Sequence, residues 1–346
     1  MGPGRFADVP SGPHAIPYTD YHTAGEPFRI VEAGFAPIDG ATVAAKRVFA
    51  QGSHEVDAVR VALCREPRGH PDMYGGFIVA PDDSGADFGV LFFHNDGYST
   101  ACGHGTIALG AWAIQSGRVI GDPHGVTPVT IDVPSGRVVA HVAQVAGVVT
   151  SVTFENVLTY PVRRDVTVDI SIGPVLVDIA WGGAFYASVS ASALGLEVAP
   201  AHVAVLRALG REIKWALNDT ADAMHPSDPR LSGIYGTIIV DDLGADERGP
   251  HQRNVTVFAD GRIDRSPCGS GTAARLALLA DDGRLDDEHE LTHDSILGTR
   301  FIGRFRPADS GPPGSIIPSI TGMAYPTGAG VFRIDPADPI GLGFLL

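Results

Sequence analysis

The stretch CGHGTIAL at residues 102–109 recurs as CGSGTAAR at residues 268–275, so both copies share the pattern Cys-Gly-x-Gly-Thr-x-Ala in one register. Each copy follows a short apolar run that ends in phenylalanine and leads into an alanine- and leucine-rich segment typical of a helix. The two cysteines are 268 − 102 = 166 residues apart, close to half of the 346-residue chain. The repeat therefore predicts two similar halves, each built on a strand, a turn, a thiol and a helix.

The sequence around these two units predicts mostly strands. Glycine (43 residues) and proline (26) are abundant, and short Val/Ile-rich runs bounded by turn residues favour strands with tight turns and few helices. A third helix is predicted at 202–218, where apolar residues recur every three or four positions. The boundary between the halves is predicted near 158–165. Strands are predicted at 56–63, 89–93, 126–133, 137–145, 148–154, 166–172, 175–179, 234–240 and 254–258.

Charge and hydropathy argue against nucleic acids and membranes as partners. The net charge is −15, from 25 Lys and Arg against 40 Asp and Glu, which disfavours attraction to nucleic-acid phosphates and to anionic membranes. The chain has no apolar run of membrane-spanning length, and its amino terminus lacks a signal-peptide core. Gly2 suggests myristoylation, but Phe6 stands where that motif needs Ser or Thr. We therefore expect a cytoplasmic monomer or homodimer that acts on a small molecule.

The three cysteines, Cys64, Cys102 and Cys268, are too few and too dispersed for a disulfide framework. Cys64 lies in an apolar run and is interpreted as a core residue. Cys102 and Cys268 each precede a predicted helix, where the peptide dipoles and free N–H groups favour the thiolate. The adjacent glycines leave room for a carboxylate or phosphate to reach those N–H groups. The sequence thus predicts two reactive thiols, each beside an anion site.

Other interpretations of these residues explain less. A zinc site at Cys102 and His104 lacks further ligands at a recognisable spacing. A phosphatase-like loop from Cys268 to Arg275 has one intervening residue too many and leaves Cys102 unexplained. A catalytically silent amino-acid-binding protein would keep the anion sites but would not need two thiols.

Six blocks of the sequence resemble the proline racemase family, which includes hydroxyproline 2-epimerases and trans-3-hydroxy-L-proline dehydratases. The resemblance runs nearly from end to end. The blocks are DYHTAGEPFR (20–29), EPRGHPDMYG (66–75), HNDGYSTACGHG (94–105), WGGAF (181–185), NVTVFADGRIDRSPCGSGT (254–272) and GMAYPTG (322–328).

The resemblance implies a diaminopimelate-epimerase-like α/β (α+β) fold. In that fold two pseudo-symmetric halves each wrap a sheet around a central helix, and the active site lies in the cleft between them. We assign residues 1–160 to the first half, with Cys102, and residues 161–321 to the second half, with Cys268. The final strands, in 322–346, are expected to return to the first half.

The resemblance also implies roles for site residues. Cys102 and Cys268 match the two acid/base thiols of the family, and no cofactor or metal is expected. One thiolate would remove the α-proton while the other thiol protonates the opposite face of the carbanion. His104 and Asp264 would hold the substrate amine, and Phe258 would pack on the ring. The carboxylate would lie against the backbone amides of Gly103, His104, Gly269 and Ser270.

Two functions fit this set of residues. The pair of thiols favours proline racemisation or hydroxyproline 2-epimerisation. The surrounding sequence at 94–100 and 260–267 is similar to the dehydratase branch, in which the second catalytic position is commonly threonine rather than a cysteine such as Cys268. Dehydration of trans-3-hydroxy-L-proline is therefore the alternative.

Three predictions concern supporting residues. Glu26 and Arg29 are expected to form an internal ion pair, and His22 is expected to orient a loop rather than transfer protons. Trp215, on the helix predicted at 202–218, is expected to be a packing residue rather than a ligand contact.

Overall fold

The computed structural model describes residues 14–346. The predictions about the amino terminus, including Gly2 and Phe6, lie outside the described residues. Within 14–346, none of the helices is both long enough and apolar enough to cross a membrane.

From residue 14 to residue 155 the chain contains eight strands and three helices. The helices are α1 (Val43–Gly52), α2 (His54–Cys64) and α3 (Gly103–Gln115). The strands are β1 (His14–Thr23), β2 (Glu26–Val31), β3 (Tyr74–Val79), β4 (Phe88–His94), β5 (Gly97–Tyr98), β6 (Val126–Val133), β7 (Gly136–Val145) and β8 (Val148–Glu155).

The remainder of the chain contains ten strands and two longer helices, α4 (Val203–Leu217) and α5 (Gly269–Asp281). Short 3-10 turns cover Ser192–Leu194, Pro200–His202, Ala221–Ala223 and Pro229–Leu231. The strands are β9 (Tyr160–Ile170), β10 (Gly173–Trp181), β11 (Phe185–Ser190), β12 (Ile234–Asp246), β13 (Gly249–Phe258), β14 (Arg262–Asp264), β15 (Leu291–Ser295), β16 (Arg300–Pro307), β17 (Ile316–Gly322) and β18 (Ala324–Ile334).

The hydrogen-bonded strands follow one order twice. One set runs β18-β1-β2-β3-β4-β6-β7-β8, and the other runs β9-β10-β11-β12-β13-β15-β16-β17. In both sets the successive pairings are antiparallel, antiparallel, parallel, antiparallel, parallel, antiparallel and antiparallel. The sets join where β8 pairs with β17. We propose the division into 1–160 and 161–321 on this duplicated order, with β18 of the carboxyl-terminal segment lying beside β1.

Each set of strands curves around one helix. Helix α3 contacts β1, β2 and β18 from one end of its set and β6, β7 and β8 from the other end, and α5 contacts β9, β10, β11, β16 and β17 in the same way. Residues 103–113 of α3 and 269–279 of α5 are all buried. A helix that is buried all round needs small residues where strands approach it. A Cβ on Gly110, for example, would lie 2.7 Å from the Cβ of Ala140.

The two central helices meet at their amino-terminal ends. A Cβ added to Gly103 would lie 2.5 Å from the Cα of Gly269, and one added to Gly269 would lie 2.6 Å from the Cα of Gly103. Since no side chain fits between these backbones, the glycine after each repeated cysteine is required by this contact. Both thiols are thereby brought to one place at the junction of the halves.

Most predicted strands lie within observed ones, and helix α4 occupies the predicted amphipathic segment. The strand predicted at 56–63 is wrong, because this segment belongs to helix α2. Its apolar residues Val56, Val59 and Leu63 recur at helical spacing and are buried, and Ser53 caps the helix by accepting the N–H of Val56. Helical periodicity and the cap thus outweigh the β-propensity of the valines.

The ion pair predicted between Glu26 and Arg29 is also wrong. Arg29 forms a bidentate pair with Asp20 at 2.9 and 2.7 Å, whereas Glu26 lies 3.2 Å from the Arg265 guanidinium. Both residues are on strand β2, three positions apart, so their side chains point to opposite faces of the sheet.

The predicted loop-orienting residue His22 lies near the end of β1, where its Nδ1 accepts the N–H of Gly25, in the turn between β1 and β2, at 3.2 Å.

The glycine contact can be tested by the substitution Gly103→Ala. Overpacking a close contact costs about 1–3 kcal/mol, so we expect the free energy of unfolding in urea to fall by that amount. The control is Gly52→Ala at the end of α1, where an added Cβ meets nothing within 4 Å. This variant should be unchanged or stabilised by up to about 1 kcal/mol. Equal losses in the two variants would contradict the contact.

Candidate functional site

The two repeated cysteines are the cap residues of the central helices, with Cys102 preceding α3 and Cys268 preceding α5. Their side chains are 6% and 4% exposed, so the site is enclosed. Since the helices abut through Gly103 and Gly269, the free N–H groups of two helix starts face the same small region as the two thiols. This geometry creates one positive site shared by both helices.

The Cys102 thiol is held by its own helix. Its backbone is extended, with φ −156°, and Sγ accepts the N–H of Gly105 at 3.2 Å in the manner of a capping side chain. A Cβ on Gly105 would lie 2.8 Å from this sulfur. The second glycine of the motif therefore makes room for the thiol.

Cys268 adopts a different backbone conformation, with φ +61°. Residues other than glycine adopt this region rarely and at a cost of about 1–3 kcal/mol, and such strain is concentrated at functional sites. The conformation is supported because the Cys268 N–H donates to Ser266 Oγ at 3.0 Å and the Cys268 carbonyl accepts the N–H of Thr272 at 2.7 Å. Both thiols therefore precede a central helix, but their residues differ in backbone conformation.

Asp264 connects the two thiols through polar groups. Its Oδ1 accepts both the N–H and the hydroxyl of Ser266, at 2.8 and 2.7 Å. Its Oδ2 lies 3.6 Å from Nδ1 of His104, and the same ring nitrogen lies 3.5 Å from the Cys102 sulfur. Asp264 is 3% exposed, and among residues 14–346 it forms no salt bridge with a lysine or an arginine, which suits it to hold a substrate cation.

Three tyrosines that the sequence analysis did not predict complete the site. Tyr74 and Tyr235 join their hydroxyls at 3.0 Å, and Tyr74 also hydrogen-bonds Ser99. The hydroxyl of Tyr186 lies 3.8 Å from the Cys268 sulfur. Burial raises the pKa of all three tyrosines well above its usual value, so each phenol stays protonated and can donate.

A sequence signal for two of these tyrosines is present in a second repeat. YGGFIV at residues 74–79 and YGTIIV at residues 235–240 share Tyr-Gly-x-x-Ile-Val. These segments begin β3 and β12, which pair with the strands preceding each cysteine, so that Gly75 faces Phe93 and Gly236 faces Phe258. Tyr74 and Tyr235 are therefore equivalent positions of the two halves.

Aromatic rings enclose the site around Phe258. The ring of Tyr235 stacks on that of Phe258, with centroids 5.8 Å apart and planes 8° apart. Tyr74 lies 5.8 Å and His94 lies 5.7 Å from the same ring. Burial lowers the pKa of His94 to about 3, so its imidazole is neutral. These rings form an apolar wall suited to the carbons of a small ring.

The ionisation of the thiols differs from the sequence prediction. Burial raises the pKa of both Cys102 and Cys268 above its usual value, and the nearby Asp264 carboxylate raises each further. The N–H of Gly105 acts on Cys102 in the predicted direction, lowering its pKa, but burial outweighs it. Both thiols are therefore neutral in this state. Burial also raises the pKa of the core residue Cys64, to about 12.

The structure brings together all the residues predicted for the site: Cys102, Gly103, His104, Phe258, Asp264, Cys268, Gly269 and Ser270. Ser270 Oγ is buried and has no hydrogen-bond partner among the described residues, so a donor or acceptor is free at the start of α5. Across residues 14–346, no cluster of three or more His, Cys, Asp or Glu side chains is arranged to hold a metal ion. The catalytic and binding roles of the eight residues remain predictions.

The buried thiols predict a pH-dependent stability. An unfolded thiol ionises near its reference pKa of ~8.5, whereas the folded thiols keep their protons. The contribution of the buried thiols to the free energy of unfolding is therefore fully present below that pH and is lost as pH rises above it. Cys102→Ser should make the fall in unfolding free energy between about pH 9 and 10 shallower by about 1.4 kcal/mol per pH unit. Ser270→Ala, which removes no titrating group, should keep the wild-type slope; an unchanged slope in Cys102→Ser would contradict the raised pKa.

Comparison with known proteins identifies the relatives of the chain. Residues 18–345 match the family described as proline racemase. The trans-3-hydroxy-L-proline dehydratase of Colwellia psychrerythraea is 41% identical over 332 residues, covering 94% of this chain and 91% of that protein. The 3-hydroxyproline 2-epimerase of Burkholderia multivorans is 41% identical over 332 residues, covering 94% of this chain and 97% of that protein.

Among solved structures, a hydroxyproline epimerase from Agrobacterium vitis with bound trans-4-hydroxy-L-proline is similar to this chain. The TM-score is 0.86 and the identity 28%, with 96% of each chain covered. The predicted diaminopimelate-epimerase-like α/β fold and the predicted family are thereby confirmed. This chain, with its duplicated strands and paired helix starts, belongs to the proline racemase family of enzymes.

Proposed function

We propose that this protein inverts the α-carbon of proline or a hydroxyproline without a cofactor, with Cys102 and Cys268 as the acid/base pair. The observation that carries the proposal is the placement of both thiols at two helix starts that meet through Gly103 and Gly269. Inversion needs a proton acceptor on one face of the carbon and a donor on the other. Two thiols meet that need in both directions of the reaction.

The helix starts would stabilise the carbanion. The substrate carboxylate would accept N–H groups from the first turns of α3 and α5, including those of Gly103, His104, Gly269 and Ser270. Negative charge grows on the carboxylate oxygens as the α-proton leaves, and fixed donors aimed at that charge lower the barrier. Phe258 would pack on the ring, and Asp264 would face the ammonium group.

Substrate binding would also prepare the base. The thiols are neutral because they are buried and because Asp264 adds negative charge beside them. A substrate ammonium placed at Asp264 offsets that carboxylate, and an opposite charge nearby favours the thiolate. One thiol then ionises only when a substrate is present, while the other keeps the proton that inversion needs.

The two-thiol assignment predicts the result of Cys268→Ser. A serine hydroxyl is a much weaker acid than a thiol, so inversion should be lost while slow exchange of the α-proton through Cys102 survives. The measurement is a proton NMR time course in D2O with proline, trans-4-hydroxy-L-proline and trans-3-hydroxy-L-proline. Cys64→Ser, in the core, serves as the control and should keep inversion. Full inversion by Cys268→Ser would overturn the proposal.

Dehydration of trans-3-hydroxy-L-proline is the second candidate. It is supported by the dehydratase name of a relative that is 41% identical over nearly the whole chain. The neutral phenols of Tyr74 and Tyr235 lie beside the thiols and could donate a proton to a departing hydroxide. A dehydratase would need only one thiol to remove the α-proton.

The substitution Cys268→Thr separates the two candidates. If inversion is the activity, this variant should lose it, because threonine does not readily protonate the carbanion. The carbanion should then persist long enough to eliminate water from trans-3-hydroxy-L-proline, and the variant should dehydrate faster than wild type. The same NMR assay follows both products. Rapid dehydration by the wild type, with no inversion of any of the three substrates, would establish the second candidate.

A further inference from the structure

A second cavity, of about 230 Å3, lies beside the thiol site at the junction of the two halves. Its lining includes Ser99 and Tyr98 from the first half and Lys214 and Tyr235 from the second. Tyr235 borders both this cavity and the thiol site. It lines the cavity, and its hydroxyl forms a hydrogen bond with the hydroxyl of Tyr74 at the thiol site. We call this cavity the outer cavity; the Tyr235 side chain lies between it and the thiol site.

Two cations line the outer cavity without a carboxylate partner. Lys214 is 6% exposed, yet it makes neither a hydrogen bond nor a salt bridge with any residue from 14 to 346. Within the described part of the chain, the Arg47 guanidinium donates to backbone carbonyls alone, to that of Tyr98 from Nε and Nη2 and to that of Arg230 from Nη1. A buried cation without a close counter-ion is costly, so Lys214 favours a bound anion, and the half-buried Arg47 adds positive charge to the same cavity.

The carboxylates of the same cavity do not supply that anion. Asp96 binds Arg262 at 3.0 Å. Asp260 binds Arg211 at 2.6 Å and also accepts the Trp215 indole N–H at 3.0 Å. Each acid is thus hydrogen-bonded to an arginine, and neither lies within salt-bridge distance of Lys214, although the charges of Asp260 and Asp96 act on Lys214 from further away.

Lys214 is held in place by an aromatic ring. Its Nζ lies 3.7 Å from the centroid of Trp215, which also lines the cavity. A cation–π contact of this kind positions an ammonium group without neutralising it. Burial lowers the pKa of Lys214 to about 8, so the group is still mostly charged at neutral pH. Trp215, predicted as a packing residue, is 46% exposed and shapes this cavity instead.

We propose that the outer cavity is a binding site for a small carboxylate, with Lys214 as its ion partner, and that it receives the amino-acid substrate before the substrate passes Tyr235 to the thiols. The proposal rests on the proposed function for the identity of the substrate. The size of the cavity, below that of pockets for drug-sized ligands, suits one small amino acid. A carboxylate here would give Lys214 an ion partner at contact distance, which the residues from 14 to 346 do not.

The site can be tested without catalysis. Trp112 and Trp181 are buried, at 3% and 4% exposure, and only Trp215 lines the cavity, so tryptophan fluorescence reports on it. Titration with sodium acetate near pH 7, at constant ionic strength, should give a saturable change in the wild type. A charge-assisted contact is worth about 1.5–3 kcal/mol, so Lys214→Met should weaken acetate binding at least about tenfold.

Three variants serve as controls. Lys214→Arg keeps the charge and should keep acetate binding. Arg248→Met removes an equal charge from an exposed side chain that pairs with Asp246, away from the cavity lining, and it should bind acetate as the wild type does. Trp215→Phe should abolish the signal and so identify its source. Equal acetate affinity in wild type and Lys214→Met would overturn the proposal.

Steady-state kinetics distinguish the substrate from another carboxylate. If the cavity receives the substrate, Lys214→Met should lower kcat/KM at least about fivefold while kcat is unchanged, and Arg248→Met should change neither. Acetate binding through Lys214 together with an unchanged kcat/KM would overturn the role in substrate capture and indicate a different small carboxylate. If wild type turns over none of the three prolines, the proposed function fails, and the acetate titration still decides whether the carboxylate site exists.

Discussion

The close contact between the backbones of Gly103 and Gly269 is the constraint on which the rest of the structure depends. It brings the positive ends of two helices together, an arrangement that is unfavourable until an anion lies between them. The sheets hold the helices there, because each surrounds its own helix and the two join where β8 pairs with β17. Sheet packing thus keeps two helix starts together in a place that favours the binding of an anion.

Burial determines whether the thiols at this contact are ionised. The helix starts favour thiolates, but enclosure of Cys102 and Cys268, with Asp264 nearby, has the larger effect and leaves both thiols neutral. A protein that kept reactive thiolates exposed would risk oxidation of those thiols. Under the proposed function the substrate supplies the missing positive charge, so that one carboxylate, Asp264, would couple thiol reactivity to substrate binding.

The duplication is exact in strand order but not in side chains. Arg29 faces Gly75 on the neighbouring strand, and Tyr186 occupies the equivalent position opposite Gly236. Arg29 pairs with Asp20 away from the thiols, whereas the Tyr186 hydroxyl approaches Cys268. Together with the left-handed backbone of Cys268, this difference makes the two thiols unequal. The outer cavity adds to the asymmetry, because Lys214 and Trp215 come from α4, a helix of the second half.

The sequence by itself predicted the central helices and the thiols before them, because the cysteine motif and the helical segment after it recur in one register. The contact between Gly103 and Gly269 came from the tertiary structure, since the motif glycines alone indicated only room for a ligand. Periodicity also located most strands and α4. Helix α2 was not predicted because its valines match a strand as well as a helix. The Glu26–Arg29 pair was wrong because residues three apart on strand β2 point to opposite faces of the sheet. Only the tertiary structure decided the pKa of the thiols, the meeting of Tyr74 with Tyr235, and the unpaired charge of Lys214. Those properties arise from burial and from contacts between residues distant in sequence, which local patterns do not encode.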